Sequence, residues 1–92
     1  MGLLFEWDSR KALSNKKKHG ITFEEASTVF ADILSITIDD PGHSADEDRF
    51  VTVGTSVNER LIVVVHTEHD DFIRIISARK VTRHERKQYE QA

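Results

Sequence analysis

Changes in the apolar spacing along the chain mark its changes of element. Leu3 to Trp7 is short, apolar and aromatic, as an edge strand would be. Asp8 follows as a helix N-cap, because its carboxylate can accept the free N–H groups of a first turn. The helix it opens runs to about His19. Lys16 to Lys18 suit the negative end of the helix dipole, and Gly20 is a natural left-handed stop. Thr22-Phe23-Glu24-Glu25 reads as a capping box, in which Thr22 accepts from the Glu25 N–H and Glu25 reaches back. Phe23, Ala26, Val29 and Phe30 then recur at helical spacing, giving a second helix with one buried face.

After Asp32 the period falls to two. Leu34, Ile36 and Ile38 alternate with Ser35 and Thr37, a half-buried strand. Asp39 to Asp48 is a polar loop that holds the single proline, Pro41. Arg49 to Ser56 is a second strand, and Gly54 inside it predicts a bulge or the close approach of another backbone. Leu61 to Thr67 is apolar on both faces and reads as a central, covered strand. Glu68 to Asp71 is an acidic turn, and Phe72 to Arg79 is a further strand. Thr82-Arg83-His84-Glu85 is another capping box, opening a terminal helix that contains Tyr89.

The order is helix, helix, four strands, helix, with a possible short N-terminal edge strand. Strands joined by short turns are usually antiparallel neighbours. Helices must cover one face of the sheet to bury its apolar side. The expectation is a single two-layer α+β domain over residues 1–92 with an antiparallel sheet.

Composition narrows the chemistry. There is no cysteine, so disulfides and thiolate metal sites are excluded. The longest apolar run, Leu61 to Val65, is too short to span a bilayer. Met1 to Trp7 lacks the pattern of a signal peptide, so the expected compartment is the cytoplasm, with no membrane partner. The net charge of −3 argues weakly against a nucleic-acid binder. Its distribution matters more. Basic residues gather in Arg10 to Lys18 and in Arg74 to Lys87, while acidic residues crowd Glu24 to Asp48. Two basic segments brought together form a local phosphate-binding surface; kept apart, each is a solvated helix face.

The five histidines, His19, His43, His66, His69 and His84, show no metal-ligand spacing. No Gly-x-Ser-x-Gly elbow, P-loop or dinucleotide fingerprint is present, so no metal or nucleotide cofactor is expected. Cationic chemistry at the sheet remains. Arg74 sits inside an apolar strand between Ile73 and Ile75, an expensive place unless it is paired or faces a wet cleft. Arg79 and Lys80 end that strand, and Arg49 begins another beside Glu47. Lys11 and Lys18 lie on one side of the first helix, with Asn15 between them. Such groups suit a polyanion, since guanidinium forks hold phosphate oxygens and lysine supplies a point charge. The plainer alternative is that Arg74 pairs with an acid such as Glu47 or Asp40 and merely fixes the sheet.

These motifs line up with a known family. Phe5-Glu6-Trp7-Asp8, Lys11, Asn15, Lys18-His19-Gly20 and Phe23-x-x-Ala26-x-x-Val29-Phe30 resemble the opening of the BrnT toxins. Asp40, Glu47-x-Arg49, Gly54, Val64-x-x-Thr67, Arg74-x-Ile76-Ser77-Ala78-Arg79, Glu85 and Tyr89 continue the resemblance. It implies a RelE-like fold and a type II toxin that cleaves RNA and inhibits translation. It also implies a cognate antitoxin with a ribbon–helix–helix domain, a toxin–antitoxin heterotetramer, and operator DNA bound only through the antitoxin.

In RNA the 2′-hydroxyl can attack the adjacent phosphate, so an endoribonuclease needs no metal or cofactor. It must orient the backbone, move protons and stabilise added negative charge. With that resemblance, Arg74 and Arg79 are the candidates for phosphate and transition-state charge, and Arg49 is a third. Glu47 is the candidate base, and Tyr89 can stack a base or donate a proton. Lys11, Lys18, His19 and Lys80 are candidates for substrate binding. One geometric obstacle stands: Arg74 and Arg79 are five residues apart and point to opposite faces of a regular strand. They share a site only if the strand bulges, twists or ends early. The rival readings are a non-catalytic protein- or nucleic-acid-binding module and a metal-dependent nuclease.

Overall fold

In a computed structural model, which describes residues 3–40 and 48–91, the chain forms strand β1 (Phe5–Glu6), helices α1 (Ser9–His19) and α2 (Phe23–Thr28), and a single 3-10 turn at Val29–Ala31. Strands β2 (Ile36–Asp39), β3 (Arg49–Thr55), β4 (Leu61–Glu68) and β5 (Ile73–Lys80) follow, and helix α3 (Arg83–Glu90) ends the described chain. The caps account for the boundaries. Asp8 accepts from the Arg10 and Lys11 N–H groups, and Gly20 stops α1 at φ 71°. Thr22 caps α2 through the Glu25 N–H, and Thr82 opens α3 with both halves of a capping box. The box at α2 is only half made. The Glu25 carboxylate turns away to Ser56 and Arg60, because a guanidinium is a stronger partner than a lone N–H.

The sheet runs β1-β5-β4-β3-β2. The four long strands are antiparallel neighbours, as expected of short connections, and β4 is central. The N-terminal strand is indeed an edge, but it lies parallel to β5, so the whole sheet is mixed. A parallel neighbour needs a long crossover, and the rest of the domain, from α1 through β4, supplies it.

The α1–α2 layer seals one sheet face. Ile21, Phe23, Ala26 and Val29 pack there on Ile62, Val64, Ile75 and Ala78, all buried. Phe5 rests on Phe30 and Trp7 edge-on against Phe23, so both aromatics belong to the core. Gly54 sits at neither a bulge nor the approach of another backbone, because β3 pairs regularly there and what crowds it is side chains: a Cβ would sit 2.8 Å from Ser35 Cβ and 2.9 Å from Val29 Cγ1. Asn15 is buried in α1 and does the work of a missing strand. Beyond the short β1, its Nδ2 donates to the Ala78 and Ile21 carbonyls at 2.8 and 3.0 Å, and its Oδ1 accepts the Ala78 N–H at 3.1 Å. The edge peptide of β5 is thereby satisfied.

His66 lies in the same layer, fully buried between Phe30 and Phe50. Its Nε2 bonds the Thr52 hydroxyl at 2.7 Å, which in turn meets Thr37 at 2.7 Å. Burial pushes its pKa down to about 4.

Candidate functional site

The opposite face of the sheet is largely open. Pairing register places Val63, Val65 and Thr67 of β4 on it, with Val53, Val51 and Arg49 beside them on β3. Ile36 and Ile38 of β2 extend the same rows. The partners on β5 are decided by an irregularity. Val65 pairs with Ser77 but His66 pairs with Ile75, so Ile76 is an extra residue, a β-bulge. The bulge cancels the odd spacing between the two arginines. Arg79 pairs with Val63 and Arg74 with Thr67, both on the open face.

The open face therefore has two polar ends and an apolar floor. At one end Glu6, Arg74, Thr67 and Arg49 stand in one row across four strands. Arg49 and Arg74 flank Thr67, so their Cα atoms are about 10 Å apart at ordinary strand spacing. At the other end is Arg79, about 13 Å further along at the rise of a strand. Between them a cleft of about 500 Å³ is lined by Ile36, Ile38, Val51, Val53, Val63 and Val65, with Arg79, Glu85, Gln88 and Tyr89 along its wall and Asp40 at its margin.

Helix α3 builds that wall. Arg79 Nη1 and Nη2 donate to Glu85 Oε1 and Oε2 at 2.7 and 2.8 Å, and the Tyr89 hydroxyl donates to the Leu34 carbonyl at 3.0 Å. Arg79 holds the Glu85 carboxyl down at about 2, and the same pair raises the guanidinium's own pKa. Burial, then the nearby Asp32 carboxylate, raises the Tyr89 phenol, so it stays protonated at neutral pH and remains a donor. Arg74 pairs with Glu6 across the β1–β5 contact. Its partner among the described residues is thus Glu6 and not Asp40.

Lys80, Lys11, Lys18 and His19 do not join this cleft. Lys80 pairs with Ile62, a core residue, and so leaves β5 towards the helical face. Lys11, Lys18 and His19 stand on α1; Lys18 lines a shallow groove on that helix with Arg10, Leu13, Ser14 and Lys17. Glu47 and His43 lie outside the described residues. Among the described residues, no group of three or more His, Asp or Glu could hold a metal ion. No helix among them is long and apolar enough to cross a membrane.

Sequence reasoning missed Glu85 as a site residue. The signal was present: the third position of a capping box falls six residues after Arg79, just across a short turn, where a carboxylate reaches back to the strand end.

A protein-family model described as "Ribonuclease toxin, BrnT, of type II toxin-antitoxin system" matches residues 7–85. No curated protein matches the chain. Among solved structures, the 1.1 Å crystal structure of the Brucella abortus ribonuclease toxin BrnT superposes with a TM-score of 0.63 at 21% identity, over 89% of this chain and 100% of that one. That likeness establishes the shared α+β fold, and the family match spans most of the sequence. The chain belongs to the BrnT family of type II toxin–antitoxin ribonuclease toxins.

Proposed function

We propose that this chain is a metal-independent endoribonuclease that cleaves RNA on the open sheet face, inhibits translation and is neutralised by a cognate antitoxin. The observation that carries the reading is the bulge at Ile76, which sets Arg74 and Arg79 on one face with Arg49. Three guanidinium groups around an aliphatic floor suit a sugar–phosphate backbone whose bases and riboses lie on apolar side chains.

In the proposed reaction the substrate's own 2′-hydroxyl attacks the neighbouring phosphate. Its proton leaves to a base, for which Glu47 stays the candidate. The pentacoordinate phosphate gathers negative charge, which Arg74, Arg79 and Arg49 offset. The 5′-oxygen of the next nucleotide departs with a proton, and Tyr89, neutral and on the cleft wall, is the candidate donor. The products are a 2′,3′-cyclic phosphate and a 5′-hydroxyl. Lys11, Lys18, His19 and Lys80 are left as outlying contacts to a longer strand.

The proposed partner is a ribbon–helix–helix antitoxin, paired with the toxin in a heterotetramer that meets operator DNA through the antitoxin.

The test is incubation of the purified chain with RNA in a chelating buffer, followed by end-group analysis. Cyclic phosphate ends, lost with Arg79→Ala, support the proposal. Intact RNA overturns it, and activity that chelator removes would instead indicate a metal-dependent nuclease. One observation favours a second reading, a non-catalytic binding module: Arg74 and Arg79 each already hold a carboxylate. Harmless accumulation of the wild-type chain in bacteria lacking the antitoxin would favour it.

A further inference from the structure

The hydrogen bonds of Arg79 can be counted one by one. A guanidinium has five N–H groups. Two on Nη1 and Nη2 go to Glu85, in an end-on fork at 2.7 and 2.8 Å. The second hydrogen of Nη1 goes to the Lys80 carbonyl at 3.2 Å. What remains is the Nε–H and the outer hydrogen of Nη2. These two point the same way, along one edge of the planar group, and no described residue accepts from them. The side chain is 41% exposed and lines the cleft.

The orientation of this group does not depend on Arg79 alone. Glu85 is fixed by its own helix: its Oε1 accepts the backbone N–H of Thr82 at 2.9 Å. The carboxylate is therefore set before the guanidinium meets it. A carboxylate gripped in this way is too weak a base to take a proton from a ribose at neutral pH.

We propose that Glu85 is a positioning residue that holds Arg79 end-on, so that the parallel Nε–H and Nη2–H donors form a phosphodiester subsite at the α3 end of the cleft. The subsite takes two non-bridging oxygens of one phosphate bidentately, a geometry that lysine cannot reproduce. The proposal rests on the ribonuclease reading for its substrate, and its test separates the two.

The probe is a short single-stranded 2′-O-methyl RNA, which binds as RNA but lacks the attacking hydroxyl. In the full-length 15N-labelled chain, the Arg79 Nε–H resonance should shift as this RNA is added. Glu85→Gln should shrink that shift and lower kcat for unmodified RNA about tenfold, with KM within about threefold; Arg79→Lys should cost about 10²-fold. Thr82→Ala is the control, because it removes only the hydroxyl that caps the helix and keeps both the backbone N–H that holds the Glu85 carboxylate and the carboxylate–guanidinium fork. It should lower the melting temperature and keep kcat within about threefold of wild type.

An Arg79 resonance that stays still while others move overturns the subsite, and so does the absence of any binding. A kcat loss in folded Thr82→Ala equal to that in Glu85→Gln overturns the positioning role. Should the RNA bind through Arg79 while unmodified RNA stays intact, the subsite stands and the ribonuclease reading fails.

Discussion

Two junctions of this domain are tied by the same chemical pair, yet they leave different groups exposed. Where α2 meets the β3–β4 turn, Arg60 grips buried Glu25 side-on, through Nε and Nη2, and Nη2 also donates to the Gly20 carbonyl. The edge that could fork a phosphate is consumed. Ser56 supplies another donor to the same carboxylate, and Val57 N–H bonds Thr28. This junction is closed and structural. Where β5 meets α3, Arg79 grips Glu85 end-on and keeps its side edge for the cleft. The residue types are the same at both junctions; what differs is the edge of the guanidinium that the carboxylate occupies, and hence the edge left to the solvent.

The largest expected effect tests that contrast directly. Arg79→Ala should lower RNA cleavage by about 10²–10³-fold while leaving the fold intact. Arg60→Ala should do the reverse, lowering the urea midpoint while activity per folded molecule stays within a few-fold. Loss of cleavage in folded Arg60→Ala would collapse the distinction.

Acid probes both junctions together, and the sign follows from the direction of each shift. Glu25 and Glu85 are each held near 2 against an ordinary 4.5, chiefly by hydrogen bonds from Arg60 and Arg79. Their stabilisation is complete above pH 4.5 and is lost as pH falls towards 2. His66 acts earlier. Its folded pKa of about 4 lies below the usual 6.5, so the unfolded chain binds its proton first. Stability should fall between pH 6.5 and 4 by about 3 kcal/mol from this group, at 1.36 kcal/mol per unit. His66→Gln should flatten that limb of an unfolding curve; an unchanged limb refutes the assignment.

Two smaller substitutions sharpen the comparison. Gly54→Ala should destabilise the closed junction by about 2 kcal/mol, as overpacking against Ser35 and Val29 does. Thr82→Ala should weaken α3 at the open junction by only about 1 kcal/mol, the usual worth of an N-cap. Calorimetry on both variants would rank them, and the opposite ranking would mean that α3 is the better-anchored element.

Much of the fold was legible because it is written locally. Alternation in Ile36–Ile38, the apolar run of β4 and the caps at Asp8, Thr22 and Thr82 each depend on neighbours a few residues away. The site was legible in type and not in arrangement. Arginine in an apolar strand announced a paired or wet position, and Arg74 is paired. Its partner, Glu6, is 68 residues away in the chain and meets it only because β1 docks on β5. Lys80, one residue beyond Arg79, was grouped with it by sequence and is separated from it by the pleat.

The sequence by itself determined the elements, the central strand, the sealed face and the family, since periodicity, caps and ordered motifs are properties of the linear chain. Tertiary structure decided which residues meet. The extra residue at Ile76 exists only relative to β4, because a bulge is a mismatch between two strands and not a property of one. It turns Arg74 and Arg79 onto one face, and docking of α3 then leaves one edge of Arg79 without a protein acceptor among the described residues.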